Sequence, residues 1–369
     1  MKIEDLSNFG YTKEEVSILL KEESVANAKI ETLIKNLKEK EFYFTKELKF
    51  TKEEFKKMTL MSPTIIILSI DNLKQKKIDT EKIGITEKDF KHIIKKTPRF
   101  YNYTISNINK KINDMINLGY TKEEVLKIGK TWPSLYGYNI ETIKKQKEFF
   151  ISLGYSDEVF IKMTKVIPAI YDLKEENIKN KIKDFEKLGY KREEIIKMTS
   201  ILPTLYGLNI ETIKKKQEYF ISLGYTKQEI IEITKNYPNL YSFAEKNIKD
   251  KHEKLSSLGF TKEEVLMILK GLPTLYGLKF ENIKEKIDFL LKIGLREVII
   301  TDPKKLIQST ELIKARYFFL KDLGIEITLS NYRLLFKSQK KFSKQFKITN
   351  SEIIEQYKEN EKNKIKKYK

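Results

Sequence analysis

Counted from the eight prolines of the chain, Pro63, Pro98, Pro133, Pro168, Pro203, Pro238, Pro273 and Pro303, lysine falls at two fixed distances. Eleven residues on stand Lys74, Lys144, Lys179, Lys214, Lys249, Lys284 and Lys314, with Asn109 the exception. Thirteen residues on stand Lys76, Lys111, Lys181, Lys216, Lys251, Lys286 and Arg316, with Gln146 the exception. An ammonium group repeated at a constant interval can neutralise the regular charges of a phosphate backbone, acting as a point charge rather than as a reader of bases. The residue between the two rows drifts through Gln75, Lys110, Asn180 and Asp250, as solvated surface does, so the constancy belongs to the rows themselves. A third slot, directly after the proline, is varied and mostly polar. Arg99, Ser134, Thr204, Asn239 and Thr274 stand there, either as candidates for base reading or as idle corner residues.

Other chemistries lack their residues. The chain has no cysteine and two histidines, His92 and His252, which lie in different slots and are read as helix-surface residues rather than as part of a zinc set. Glu123, Glu124, Glu158 and Glu263 fall where helices start, and complementing the amide dipole accounts for them. There is no glycine-rich phosphate loop of the Walker or dinucleotide type. The expectation is a protein that is not an enzyme and has no catalytic residues, cofactor, metal or small-molecule substrate.

The net charge is +20, and it is unevenly spread. Residues 1–40 hold seven lysines against eight acids, whereas residues 333–369 hold twelve Lys/Arg against four Glu. Such an excess favours a polyanionic partner. Lysine outnumbers arginine 67 to 5, which leaves little capacity for the bidentate guanine contacts that arginine makes. No apolar run approaches the roughly 18 residues of a membrane span. A cytoplasmic or nucleoid-associated location is expected, or an organelle matrix if a presequence precedes Met1.

The rows must be positioned by a repeat. Seven of the prolines are 35 residues apart, and Gly84, Gly119, Gly154, Gly189, Gly224, Gly259 and Gly294 keep the same beat. A period of that length without insertions marks a solenoid of stacked supersecondary units. In the unit Gly119 to Leu153, glycine closes one helix by positive φ, and Thr121 with Glu124 forms a capping box that opens the next. The same pairing recurs at Thr12 and Glu15, Thr51 and Glu54, Thr226 and Glu229, and Thr261 and Glu264. Val125 and Ile128 face inward until Pro133 stops the helix, for want of an N–H and by clash of its ring. A short 3₁₀ turn or tight corner follows, then a second helix from near Asn139 with Ile143, Phe150 and Leu153 on one face.

Ten residues after each proline an aliphatic residue forms a core spine, Leu73, Ile108, Ile143, Ile178, Ile213, Ile248, Ile283 and Ile313. At 100° per residue the two lysine rows flank that spine, which predicts one row facing a groove and the other the outside. Three residues after the proline stands tyrosine at 101, 136, 171, 206, 241 and 276. That row serves either base stacking or packing between repeats with the phenol bonded to a neighbour's backbone.

The fold class is therefore all-α, a helical-repeat solenoid of about eight 35-residue units, each two α-helices and a proline corner, with degenerate caps. Residues 1–48 form an N-terminal capping repeat, 49–328 the array, and 329–369 a C-terminal cap and basic tail. The last repeat has a shortened first helix, because nine residues separate Gly294 from Pro303. The lysine-rich helix from about Ser351 is either a mobile clamp on phosphate or a solvated tail.

Leu118-Gly119-Tyr120-Thr121-Lys122-Glu123-Glu124-Val125, followed by Pro133-Ser134-Leu135 and Ile143, resembles the mTERF repeat, that of the mitochondrial transcription termination factor-like proteins. Leu258-Gly259-Phe260-Thr261-Lys262-Glu263-Glu264-Val265 with Pro273-Thr274-Leu275 carries it again, and the likeness spans roughly residues 40–328. The resemblance implies two α-helices and a 3₁₀ turn per repeat, a basic concave groove holding nucleic acid, and roles in organelle gene expression. The tyrosine after the proline departs from the leucine usual there. The expected partner is nucleic acid, double-stranded DNA ahead of RNA, bound by a monomer mainly through its phosphates, with no membrane. An RNA-binding factor of the same fold and a protein scaffold are the alternatives.

Overall fold

The computed structural model describes residues 6–367, and among them every regular element is a helix or helical turn. The chain is an all-α helical-repeat solenoid whose contacts gather into two compact units, residues 1–180 and 181–369. The same local rules build the repeats of both.

The repeat around Pro133 shows those rules. Gly119 closes the preceding helix at φ 103°, a conformation that a side chain resists. The Thr121 hydroxyl then accepts from the Glu124 amide at 3.2 Å while the Glu124 carboxylate accepts from the Thr121 amide at 3.0 Å, so two orphan donors are satisfied. The first helix, Lys122–Thr131, ends where Trp132 leaves the α region ahead of the proline. Pro133 opens a 3₁₀ turn, Pro133–Gly137, in the position where its missing N–H costs nothing. Asn139 caps the second helix, Ile140–Ser152, by accepting from the Glu141 amide at 2.9 Å. All eight prolines open such a turn, and the capping boxes at Thr12, Thr51, Thr226 and Thr261 are formed as the spacing predicts.

The spine is buried throughout, from Leu73 to Ile178 in the first unit and from Ile213 to Ile313 in the second. Charge also ties successive repeats. The carboxylate three residues into a first helix often has a second partner, a basic residue of the next repeat: Lys165 reaches Glu124 at 2.5 Å, Lys130 reaches Asp89 at 2.5 Å, Lys270 reaches Glu229 at 2.6 Å and Arg296 reaches Glu264 at 2.5 Å. The lysine hydrogen bond is the main reason the Glu124 and Glu229 carboxyls titrate below their ordinary range.

The tyrosine row is interior. In the first unit the phenol of Tyr120 meets both the Thr164 hydroxyl and the Tyr171 phenol of the next repeat, each at 2.6 Å. In the second, Tyr190 meets Thr234 at 2.6 Å and Tyr241, and Gln217 donates to Tyr241 at 3.0 Å. Burial between repeats therefore decides against base stacking, although the phenols bond neighbouring side chains rather than the expected backbone. Where the upstream tyrosine is Ile85, the threonine slot is Gly129, and the Tyr136 phenol fills the space a Cβ there would need. That buried hydroxyl has no hydrogen-bond partner.

The ends differ from the repeats. In the first 48 residues a four-residue helix, Glu23–Ala26, stands where later repeats have the proline corner. A wide turn at Tyr43–Glu47, with the Leu48 amide bonded to the Tyr43 carbonyl at 3.0 Å, takes up the longer spacing. The first helix before Pro303 shrinks to Arg296–Thr301, as expected. The helix Asn350–Lys367 corrects the picture of a free tail: it packs on Thr310–Asp322, burying Ile353 and stacking Tyr357 on Phe318 with ring centroids 5.7 Å apart. His252, read as surface, is half-buried with its Nε2 2.9 Å from the Tyr276 hydroxyl.

Two stability predictions follow from these contacts. Tyr171→Phe removes a satisfied buried phenol and should cost about 1–2 kcal/mol in urea denaturation, whereas Tyr136→Phe should be neutral or stabilising because its hydroxyl has no partner to lose. Burial holds His252 down at about 4, with Lys262 adding to the effect. The unfolded chain, with an ordinary histidine near 6.5, then takes up a proton that the fold refuses. Stability of the second unit should fall by on the order of 1 kcal/mol as pH drops from 7 to 5, and His252→Gln should remove that increment from the thermal melting curve.

Candidate nucleic-acid interface

The structure sends the two lysine rows to different places. The +11 row lies on the outward side of the second helices, with Lys144, Lys179, Lys214, Lys249 and Lys284 exposed and Lys74 and Lys314 half-buried. Most of these ammonium groups touch an acid. Lys144 meets Glu141 at 2.8 Å, Lys179 meets Glu175 at 3.5 Å, Lys249 meets Glu253 at 3.6 Å and Lys284 meets Asp288 at 2.6 Å, all within one helix. Lys74 and Lys314 reach Glu47 and Glu285 at 2.8 and 2.6 Å. Such pairs in water are worth about 0–1 kcal/mol, so a phosphate can replace the carboxylate at little cost.

The +13 row faces neither a groove nor the outside, which corrects the expectation for it. Lys216, Lys251, Lys286 and Arg316 are buried and Lys181 is half-buried. The ammonium of Lys181 donates to the Leu208 carbonyl, that of Lys251 to Leu278 and that of Lys286 to Leu306, in each case at the proline corner of the following repeat. In the first unit Lys76 does the same to Tyr103. Gln146, the exception in sequence, makes the equivalent contact with its amide, to Leu173 at 3.0 Å and Ile170 at 3.1 Å. Arg316 is fully enclosed, donating to the Leu335 and Lys337 carbonyls at 3.0 and 2.6 Å and to Asn350 at 2.7 Å, with its guanidinium 4.3 Å from the Phe342 ring centroid. Desolvation lowers the pKa values of Lys181, Lys216, Lys251 and Lys286, the mark of side chains whose stems and heads have left water.

The slot after the proline is exposed at Arg99, Ser134, Thr204 and Asn239, and half-buried at Thr274. It does not join the +11 lysines. In the second unit Thr274 and Lys304 line an open groove together with Glu232, Asn236 and Gly271, residues from the ends of first helices. Candidate base readers and candidate phosphate contacts therefore belong to different elements. Counting backward from the proline finds a set that counting forward misses: six residues before it stand Lys57, His92, Lys127 and Lys162, all exposed.

Among the described residues no three His, Asp or Glu are grouped so as to hold a metal ion, and no helix is long and apolar enough to cross a membrane. No curated protein matches the chain. The family model named mTERF matches residues 1–153, 142–224 and 218–343. Together these segments take in every proline corner, both lysine rows and the tyrosine row. The chain belongs to the mTERF family, whose members are helical-repeat proteins that generally bind nucleic acid.

Proposed function

We propose that this protein is a non-enzymatic nucleic-acid-binding factor, with double-stranded DNA its principal ligand, held through lysine–phosphate contacts. It acts on transcription or another DNA transaction by occupying the duplex. The observation that carries this reading is the +11 row, which offers one ammonium in seven of eight repeats, five of them exposed, on a chain of net charge +20. Six of the seven already hold an anionic oxygen within 4 Å, the contact a phosphate oxygen would make in its place. With five arginines in 369 residues, affinity rests on the backbone, and sequence preference comes from shape rather than guanine contacts. The varied slot from Arg99 to Thr274 supplies whatever direct reading there is.

Duplex DNA, single-stranded DNA and RNA of equal length, titrated by fluorescence anisotropy at several salt concentrations, distinguish this from an RNA-binding factor and from a protein scaffold. The duplex should bind tightest, with log affinity falling linearly on log salt. The variant Lys179→Glu/Lys214→Glu/Lys249→Glu/Lys284→Glu should lower duplex affinity at least about tenfold and flatten the salt slope by roughly 3–4, with an unchanged circular dichroism spectrum. Tighter binding of RNA would reassign the ligand, no binding at low salt would leave the scaffold, and an unaffected variant would remove the row from the interface.

A further inference from the structure

Three of the recurrent lysine slots are largely committed. In the +13 row Lys76, Lys181, Lys251 and Lys286 cap carbonyls between repeats, lysines three residues before the proline pair with carboxylates at helix starts of the preceding repeat, and six of the seven +11 lysines rest on acids. The lysines six residues before the proline are different. Lys57, Lys127 and Lys162 are exposed and make no ion pair among the described residues, although Glu53, Glu123 and Glu158 lie one turn away.

These side chains share one face. Positions six and two before the proline are four apart on the first helix and so are neighbours on its surface, as His92 and Lys96 are. Successive first helices of the first unit lie side by side, and the Lys96 ammonium reaches the Thr131 carbonyl of the next one at 3.4 Å. Arg99 projects into solvent from the corner that follows Lys96. Helices packed side by side stand roughly 8–10 Å apart, a spacing that flexible lysines can match to a row of phosphates. The field is felt inside the patch: His92 is held below the ordinary histidine range, first by desolvation and then by Lys96 and Lys130, with Lys95 adding to them and Asp89 opposing. In the second unit the slot six before the proline reads Lys197, Glu232, Met267 and Glu297, so the basic character does not continue.

We propose that the first-helix face of residues 1–180, formed by Lys57, His92, Lys96, Arg99, Lys127 and Lys162, is a second binding surface for a phosphodiester backbone, distinct from the +11 row and confined to this unit. The proposal rests on the nucleic-acid reading above. It gives the two units different contact surfaces: the first adds this face to its +11 lysines, whereas in the second the corresponding slot is not basic.

The two histidines make a built-in test. With histidine-selective isotope labelling of the full chain, a short DNA duplex added at low salt should raise the pKa of His92 by at least about half a unit, because nearby phosphates favour the imidazolium. The signal of His252, buried against Tyr276, should not move. In parallel, Lys57→Glu/Lys127→Glu/Lys162→Glu should weaken duplex binding at least about tenfold and reduce the salt slope by roughly 3. Should this triple variant unfold, Lys→Gln replacements at the same three sites should still lower the slope. If wild-type chain binds the duplex while His92 stays unperturbed and the triple variant binds normally, this face is not a contact surface and the proposal alone fails. If wild-type chain binds no nucleic acid, both readings fail together.

Discussion

A proline corner leaves carbonyls that no helix satisfies, and at the corners of Pro98, Pro168, Pro203, Pro273 and Pro303 the donor comes from the repeat before. The proline makes this necessary. By stopping the first helix and opening a 3₁₀ turn it leaves backbone oxygens between two helices, where water is largely excluded and an unpaired acceptor costs about 1–3 kcal/mol. A long side chain thirteen residues after the preceding proline crosses the junction and closes that gap, as Lys76, Lys181, Lys251 and Lys286 do. The same contact sets how one repeat sits on the next, because the donor is on a second helix and the acceptor on the following corner. Spine, capping boxes and tyrosines then pack within a spacing already determined.

This contact also explains why one of the two lysine rows was misread. Constancy within a repeated sequence can come from packing as readily as from ligand contact, and at helical spacing the two look alike. Gln146 held the distinguishing signal. A neutral amide lacks the charge with which an ammonium neutralises phosphate, but it donates to a carbonyl equally well, and that is what it does against Leu173. Arg316 is the complementary case: beyond the last corner it meets two carbonyls and Asn350, so the five-donor fork of arginine replaces the single head of lysine.

The fold was legible because its punctuation is local. Proline, glycine and the Thr-x-x-Glu box act within a few residues through sterics and capping, so helix starts and stops could be counted directly. What could not be counted was anything depending on the partner repeat. The tyrosine row gave no sign in sequence of whether its phenols faced solvent or a neighbour, since the threonine that receives Tyr120 lies 44 residues on. The docking of the last helix was hidden for a related reason: its lysine content dominates the composition, while its apolar contact is made by a few residues, Ile353, Ile354 and Tyr357.

Charge follows the same division between local and distant partners, which bears on how such an array meets a polyanion. A lysine is available to phosphate in proportion to how weakly its existing partner holds it. Buried donors to carbonyls are the least available, capping-box pairs that tie two repeats come next, and exposed pairs within one helix are the most readily exchanged. Packing ties the first two classes to the junctions between repeats, so they cannot vary freely without loosening the stack. The exposed slots carry no such constraint. A repeat protein built this way can keep one architecture along its whole length while its binding surface changes from unit to unit, as the drift from Lys57 and Lys162 to Glu232 and Glu297 shows in a single slot.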